Sequence, residues 1–330
     1  MGEWSDVCVL IPTYNEAAAI GQVLEGFQEQ GFGHVLVMDG GSTDGTREIA
    51  REHGADVREQ TGSGKGQAIR EAIQLIDQPY VLMLDGDATY RPDEAPKMLE
   101  PLLEGEAEHV IGNRFADMES GAMSRLNKFG NRLINRAFRL VHGRNFVDIL
   151  SGYRAFTTQS ARRFALTADG FGIETEMAVE CVKHNVTTEV VPISYECRPE
   201  EAETNLSPIR DGAVILMTLY RMAKTNNPLF YFGSVGIIST LVGIVLGGYV
   251  AVEWFTRGIS HEVIAIVSAL GIIFGVQLLI FGVLSDMIVT LHREQLHYIE
   301  RLSTENQPGS AGQPGEASGR QSSSEGDERS

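Results

Sequence analysis

Cysteine is scarce in this chain of 330 residues: Cys8, Cys181 and Cys197 stand far apart, with no CxxC pair among them. That spacing excludes a disulfide scaffold and a cysteine-based zinc site. Lysine is equally thin, confined to Lys65, Lys97, Lys128, Lys183 and Lys224. The 27 basic residues face 44 acidic ones, giving a formal net charge of −17. The sign is wrong for a nucleic-acid binder and suits a protein kept soluble in concentrated salt or an acidic cytosolic enzyme. The opening Met-Gly-Glu-Trp-Ser-Asp has neither a basic nor an apolar stretch, so no secretory signal is expected, and Asp6 breaks the myristoylation pattern. No internal repeat is visible.

Charge is missing altogether from two long stretches. Leu229–Val252 holds no charged residue or histidine, and Val263–Ser285 is interrupted only by Gln277. At about 1.5 Å per residue, either helix exceeds the ~30 Å hydrocarbon core of a bilayer. Both are therefore read as transmembrane helices within a segment 228–287. Arg257 is the one basic residue in the loop between them, whereas Arg210, Arg221 and Lys224 precede the first span and Arg293 and Arg301 follow the second. The positive-inside rule then puts both ends in the cytosol. Residues 1–205 read as a soluble domain, 206–227 as an apolar-rich helix on the membrane surface, and 288–330 as a cytosolic extension. The Gly/Ser/Pro/Gln/Glu-rich tail of that extension, from Ser303, cannot build a core.

The soluble part alternates short apolar runs with helical patterns. Strands are expected at Val7–Ile11, Val35–Met38, Ala55–Arg58 and Tyr80–Leu84, with helices at Glu16–Gln30, up to His53, at Lys65–Ile76 and from about Pro92. Strands joined by crossover helices form a mostly parallel sheet with helices on both faces. Ligands in such sheets bind beyond the carboxyl ends of the strands. The polar clusters at 12–16, 39–46 and 85–87 all fall at such ends.

Asp85-Gly-Asp87 offers two carboxylates just past a buried strand, a donor pair for Mg²⁺ or Mn²⁺ that leaves room for substrate phosphates. Asp39 opens Asp-Gly-Gly-Ser-Thr-Asp-Gly-Thr and could accept from a ribose hydroxyl or a base N–H, with Ser42 or Thr43 capping the next helix. Gly62-Ser-Gly-Lys-Gly66 looks like a phosphate loop but has no Ser/Thr after Lys65 and has Glu59 in place of the first glycine. Its glycines are expected to let the backbone approach a nucleotide, with Lys65 nearby. Ser120–Val147 has no acidic residue, yet contains Arg125, Lys128, Arg132, Arg136, Arg139 and Arg144. The first five recur every three or four residues beside Leu126, Phe129, Leu133, Ala137 and Leu140, a basic amphipathic helix suited to anionic headgroups or a lipid phosphate.

Pro12-Thr-Tyr-Asn-Glu16, Asp39, Gly64-Lys-Gly66, Asp85-Gly-Asp87, Gly112-Asn-Arg114 and Asp148-Ile-Leu-Ser-Gly-Tyr-Arg154 occur here in an order that resembles the family 2 glycosyltransferases of the GT-A fold. The similarity is greatest to dolichol-phosphate mannose and glucose synthases, particularly archaeal enzymes that start protein N-glycosylation on dolichyl phosphate, and covers about residues 5–210. It implies a Rossmann-like α/β catalytic domain followed by a transmembrane hairpin. The implied reaction is inverting transfer of a hexose (glucose, mannose or N-acetylhexosamine) from a nucleoside-diphosphate sugar to a polyprenyl phosphate. By the same resemblance Pro12, Tyr14, Glu16 and Asp39 contact the nucleoside, with Lys65 and Arg198 also on the donor. Asp85 and Asp87 hold Mg²⁺ or Mn²⁺ and the diphosphate, and Arg114 and Arg198 contact phosphate. Glu174 and Glu176 lie near the sugar, Glu176 as a catalytic candidate, although carboxylates at a helix start also complement its dipole. Arg125, Lys128, Arg132 and Arg154 are assigned to the lipid phosphate. The lipid bilayer is a partner, nucleic acid is not, and a homo-oligomer is compatible. Two positions depart from the family: Thr89 stands where Gln is common, and Asn205 where Lys is. A rival reading takes Leu82-Met-Leu-Asp85-Gly-Asp87-Ala-Thr89 as the DxDxT motif of a haloacid-dehalogenase phosphatase with Asp85 as nucleophile, although that motif normally sits on the first strand.

Overall fold

The computed structural model describes residues 4–170, 172–199, 212, 215, 217, 220 and 227–305. Most of the expected surface helix at 206–227, with Arg210, Arg221 and Lys224, lies outside the described residues, as do Asn205 and the tail from 306. Gly212, Ile215, Met217 and Tyr220 are helical.

The order is β1 (Val7–Thr13), α1 (Ile20–Glu29), β2 (Val35–Asp39), α2 (Thr46–Glu52), β3 (Asp56–Glu59), α3 (Lys65–Leu75), β4 (Tyr80–Met83), α4 (Ala95–Leu103), β5 (His109–Met118), α5 (Arg125–His142), β6 (Arg154–Thr157), α6 (Thr158–Arg162), α7 (Ile173–Lys183) and β7 (Thr188–Tyr195). The strands form one sheet in the order β3-β2-β1-β4-β6-β5-β7. All neighbours are parallel except β6, which runs antiparallel to β4 and β5. Alternate residues of β1 go to opposite faces, as the two-residue period of a strand requires. Val7, Val9 and Ile11 pack with Val23, Leu24 and Phe27 of α1 and Met98 and Leu99 of α4. Cys8 and Leu10 pack with Ile69 and Ile73 of α3 and Met177 of α7. A third apolar cluster joins Ile111 of β5, Ile134 and Phe138 of α5, Val179 of α7 and Ile215.

Two helices begin later than their periodicity suggests. Asn15 adopts a left-handed φ of 55°, and Ala19 N–H donates to Glu16 O at 3.0 Å, so Glu16–Ala19 is a turn and α1 starts at Ile20. Residues Pro92–Glu94 form a single 3-10 turn before α4. Neither Ser42 nor Thr43 caps α2: its N-cap is Gly45, at φ 96°, which makes no side-chain bond.

The chain forms two compact units, Met1–Ser285 and Asp286–Ser330. Two helices follow the sheet, α8 (Pro228–Arg257) and α9 (Glu262–Glu305). Pro228–Arg257 and Glu262–Leu291 are each long and apolar enough to cross a membrane, and only 11 % of the most apolar window of each is buried. Neither helix is buried in the way the core helix of a soluble domain is. They pack through glycines: a Cβ at Gly236 would lie 2.7 Å from Gly275 O, and one at Gly243 2.8 Å from Ser268 O. Ser268 Oγ donates to Gly243 O at 2.7 Å and Ser239 Oγ to Gly271 O at 2.8 Å, the small-residue packing that associates helices in lipid.

Candidate active site

The carboxyl ends of β1, β2, β3 and β4 open onto one cleft of about 1040 Å³. Its polar half contains Pro12, Tyr14, Glu16, Lys65, Asp85, Asp87, Arg114 and Arg198. Because β2, β1 and β4 are neighbours in the sheet, clusters separated by tens of residues in sequence converge there.

The two carboxylates of Asp85-Gly-Asp87 have different partners. Lys65 Nζ bonds Asp85 Oδ1 and lies 2.5 Å from Glu174 Oε1. Burial alone would depress the Lys65 ammonium, but the pull of Asp85 and Glu174 outweighs it and raises its pKa. Asp87 accepts the Thr89 hydroxyl at 2.6 Å and pairs with Arg198 at 2.5 Å. Thr89 therefore anchors the second carboxylate from within its own loop. Arg198 also lies 3.6 Å from Glu16. Burial pushes the Glu16 carboxyl up to about 7, with Arg198 opposing and Asp87, Asp85 and Asp44 adding to the rise. Gly152 abuts the pair: a Cβ there would fall 2.3 Å from Asp85 Oδ2.

Arg114 lines the cleft in a buried bidentate pair, its Nε and Nη2 each 2.8 Å from Asp148 oxygens. Its guanidinium also sits 5.4 Å above the Tyr195 ring. Burial works against the charged form, but Asp148 holds the Arg114 pKa well above its ordinary value.

Several residues assigned to the site from sequence are occupied elsewhere. Asp39 is fully buried, and its carboxylate accepts Gly41 N–H and Ser42 N–H at 2.9 Å each and the Ser42 hydroxyl at 2.5 Å, all within its own turn. Glu176 accepts Thr167 N–H at 2.8 Å, the Thr167 hydroxyl at 2.7 Å and Ala168 N–H at 2.7 Å. It orders residues 167–168, while Glu174 faces the cleft. Arg154 is fully buried, donating to Ser151 O at 3.0 Å and Ile149 O at 2.7 Å with His109 Nε2 at 3.1 Å. It braces the 148–153 loop and is unavailable to a lipid phosphate. Gly64 and Gly66 make room for protein backbone, that of residues 168–169. A Cβ at Gly64 would lie 2.2 Å from Asp169 O, and one at Gly66 1.9 Å from Ala168 O.

The other half of the cleft is walled by α5, through Leu126, Asn127, Gly130, Asn131, Leu133 and Ile134. Ser124 caps this helix by accepting Asn127 N–H at 3.1 Å, and Gly143, left-handed at φ 69°, ends it. Its core face is Asn131, Ile134, Phe138 and Val141. Leu126, Phe129, Leu133 and Leu140 are exposed instead, Phe129 at 66 % and Leu140 at 71 %, beside the exposed Arg125, Arg132, Arg136 and Arg139 and the half-buried Lys128. Asn227, the N-cap of α8, donates to Val141 O, so the end of α5 is tied to the start of the hairpin.

A largely parallel sheet whose carboxyl edge gathers an Asp-Gly-Asp pair, basic partners and an aromatic platform is the architecture of a GT-A glycosyltransferase. The chain belongs to glycosyl transferase family 2, which matches residues 8–166. It is 64 % identical over 297 residues to the glycosyltransferase AglJ of Haloferax volcanii, covering 90 % of this chain and 98 % of that protein. It is 34 % identical over 214 residues to a dolichyl-phosphate hexose transferase of the same organism, covering 64 % and 91 % respectively. Among solved structures, glucosyl-3-phosphoglycerate synthase of Mycobacterium tuberculosis in complex with Mn²⁺, UDP-glucose and phosphoglyceric acid superimposes with a TM-score of 0.55 at 22 % identity, over 66 % of this chain and 79 % of that one. That likeness is one of fold. The phosphatase reading falls with the family match, and Asp85 follows the fourth strand of the chain, ion-paired to Lys65.

Proposed function

We infer that this glycosyltransferase moves a hexose from a nucleoside-diphosphate sugar to dolichyl or another polyprenyl phosphate at a membrane surface, as the first step of protein N-glycosylation. The observation that carries this reading is the two-sided cleft: one wall holds Asp85, Asp87, Lys65 and Arg198, the other is a helix exposing arginines and large apolar side chains. A dolichyl-phosphate hexose transferase among the relatives supports the acceptor. The basic residues flanking the hairpin support a membrane protein whose catalytic domain faces the cytoplasm.

Among the described residues no group of three or more His, Cys, Asp or Glu could hold a metal ion by itself. Asp85 and Asp87 nonetheless fit Mg²⁺ or Mn²⁺ arriving with a diphosphate, since such ions commonly take one or two carboxylates and fill the remaining positions with water and phosphate oxygens. Once bound, the cation offsets negative charge on the departing diphosphate. Lys65 and Arg198 are poised to do the same from the protein side. Tyr14 offers the base a stacking face, and Glu16 offers the ribose an acceptor. Arg125, Lys128 and Arg132 draw the lipid phosphate to the mouth of the cleft. A phosphate monoester has its second pKa near 6, so the acceptor oxygen is already ionised and needs no general base. It attacks the anomeric carbon in line, the new C–O bond forming as the bond to the β-phosphate oxygen breaks. The nucleoside diphosphate leaves with the electron pair and the configuration inverts. Arg114 holds the 148–153 loop through Asp148, and Glu174 fixes Lys65.

The test is to incubate membranes containing the protein with a panel of labelled UDP- and GDP-sugars and to extract lipid. Label in a polyprenyl-phosphate hexose, lost in the Asp87→Asn protein, is the expected result. Label released as free sugar, or none from any donor, refutes the reading.

A further inference from the structure

Gln60 follows β3, and its backbone N–H donates to Asp39 O at 3.0 Å, extending the pairing with β2. No sequence motif marks it. Its side chain is 7 % exposed, and both carboxamide atoms, Oε1 and Nε2, are buried without a hydrogen-bond partner among the described residues. A buried amide with an idle donor and an idle acceptor is rare in a folded protein, because such groups are normally paired with protein, water or ligand. Gln60 is on the cleft wall. Its carboxamide crosses Gly40, where a Cβ would come within 3.3 Å of Gln60 Nε2 and of Thr13 O, and within 3.5 Å of Tyr14 Cδ2. The lack of a side chain at Gly40 thus lets an idle amide, a backbone carbonyl and an aromatic ring that is 50 % exposed draw close together on the cleft wall.

We propose that Gln60 reads the hydrogen-bonding edge of the donor's nucleobase, an assignment that rests on the cleft taking a nucleoside-diphosphate sugar. The order of the sheet supports it. Asp85 and Asp87 lie at the end of β4, Glu16 beyond β1, Gly40 beyond β2 and Gln60 beyond β3. A nucleotide with its diphosphate at β4 and its ribose at Glu16 carries its base over β2 and β3. Asp39, the acid expected from sequence to meet the base, is fully buried and is not among the residues lining the cleft. Gln60 has both polar atoms free and a π-face beside them, which matches the flat ring and adjacent donor and acceptor of a base. One amide can donate to uracil O4 and accept from N3–H, or donate to guanine O6 and accept from N1–H.

The two bases separate on substitution. In Gln60→Glu the site only accepts. Guanine can present N1–H and N2–H to a carboxylate, whereas uracil N3–H is flanked by carbonyls that the carboxylate repels. The experiment measures binding of UDP, GDP and ribose 5-diphosphate to the detergent-solubilised full-length protein by calorimetry in Mn²⁺. Gln60→Ala is expected to weaken the nucleotide bound by the wild type about tenfold, the loss of one or two hydrogen bonds, and to leave ribose 5-diphosphate unchanged. Gln60→Glu is expected to raise the ratio of GDP to UDP affinity about tenfold. Equal weakening of the abasic ligand, or an unchanged ratio in Gln60→Glu, overturns the assignment and leaves Gln60 a packing residue. A wild-type protein that binds neither nucleotide overturns the donor reading itself, and the Gln60 assignment with it.

Discussion

Lys65 holds the position a divalent cation needs at Asp85, and replacing it makes a quantitative test of the metal site. Its ammonium bonds Asp85 and lies 2.5 Å from Glu174, with side-chain exposures of 12 % for Lys65 and 31 % and 5 % for the two acids. A charge-assisted bond of this kind is worth about 1.5–3 kcal/mol net, and a cation entering at Asp85 must displace it. Lys65→Met keeps most of the side chain's length, one atom short, and removes the competitor. At about 1.4 kcal/mol per factor of ten, nucleotide-free affinity for Mn²⁺ should rise roughly tenfold to a hundredfold. The substitution also makes the site one charge more negative and leaves Glu174 buried without its ion-pair partner. Lys65→Met/Glu174→Gln restores the wild-type charge and removes the stranded carboxylate. Any gain that the double variant keeps therefore comes from freeing Asp85. The assay is titration of Mn²⁺ into the full-length solubilised protein, following the free ion by electron paramagnetic resonance. Affinity no tighter than wild type in both variants would refute the competition. Transfer should fall in both, because the proposed diphosphate partner is gone.

Asp148→Ala strands the Arg114 guanidinium in the interior, a loss of about 3–5 kcal/mol for a buried pair broken on one side. It should lower the melting temperature, with Arg114→Met/Asp148→Leu recovering much of the drop. Glu16, with its carboxyl near 7, is protonated below that pH and loses the charge-assisted bond it offers the ribose hydroxyl. Nucleotide affinity measured from pH 8 to 5.5 should fall through neutrality in the wild type and stay flat in Glu16→Gln. The native state holds this proton more tightly than the unfolded chain, so ligand-free stability should decline as pH rises from the ordinary 4.5 towards 7. Arg125→Ala and Arg132→Ala should raise the apparent KM for lipid phosphate while nucleotide affinity is unchanged, and Arg139→Glu should act mainly on membrane association. Wild-type acceptor kinetics in all three would reduce α5 to a solvated face.

The mostly parallel sheet and the convergence at strand ends were legible because both follow from hydrophobic period and turn chemistry. The fate of individual side chains was less so. Asp, Ser and Gly build turns and bind ligands with the same atoms, so the sequence could not separate Asp39, buried within its own loop, from Asp85 and Asp87 on the cleft. Glu174 and Glu176 are two residues apart on α7, hence about 200° apart around the helix. Only one can face the cleft, and the phase was not fixed in advance. The antiparallel β6 carries no marker of direction. Gln60 was missed because a lone glutamine after a strand has no pattern; the signal is its unpaired amide, which exists only in three dimensions.

The phase of α5 gives the clearest link between packing and the proposed chemistry. Two apolar stripes run along this helix. The one beside the arginines was legible from sequence, but a different stripe, Ile134, Phe138 and Val141 with the buried Asn131 beside them, meets the core. A helix needs only one such face to dock. The second, with Phe129 and Leu140 largely exposed among arginines, is a surplus that water penalises and an anionic membrane interface rewards. The same helix supplies the second wall of the cleft, and its end is fastened to the first residue of the hairpin by Asn227. If α8 spans a bilayer as proposed, its depth there sets the height of α5. In the proposed reaction, a lipid phosphate at the headgroup plane would meet the arginines before it meets the cleft.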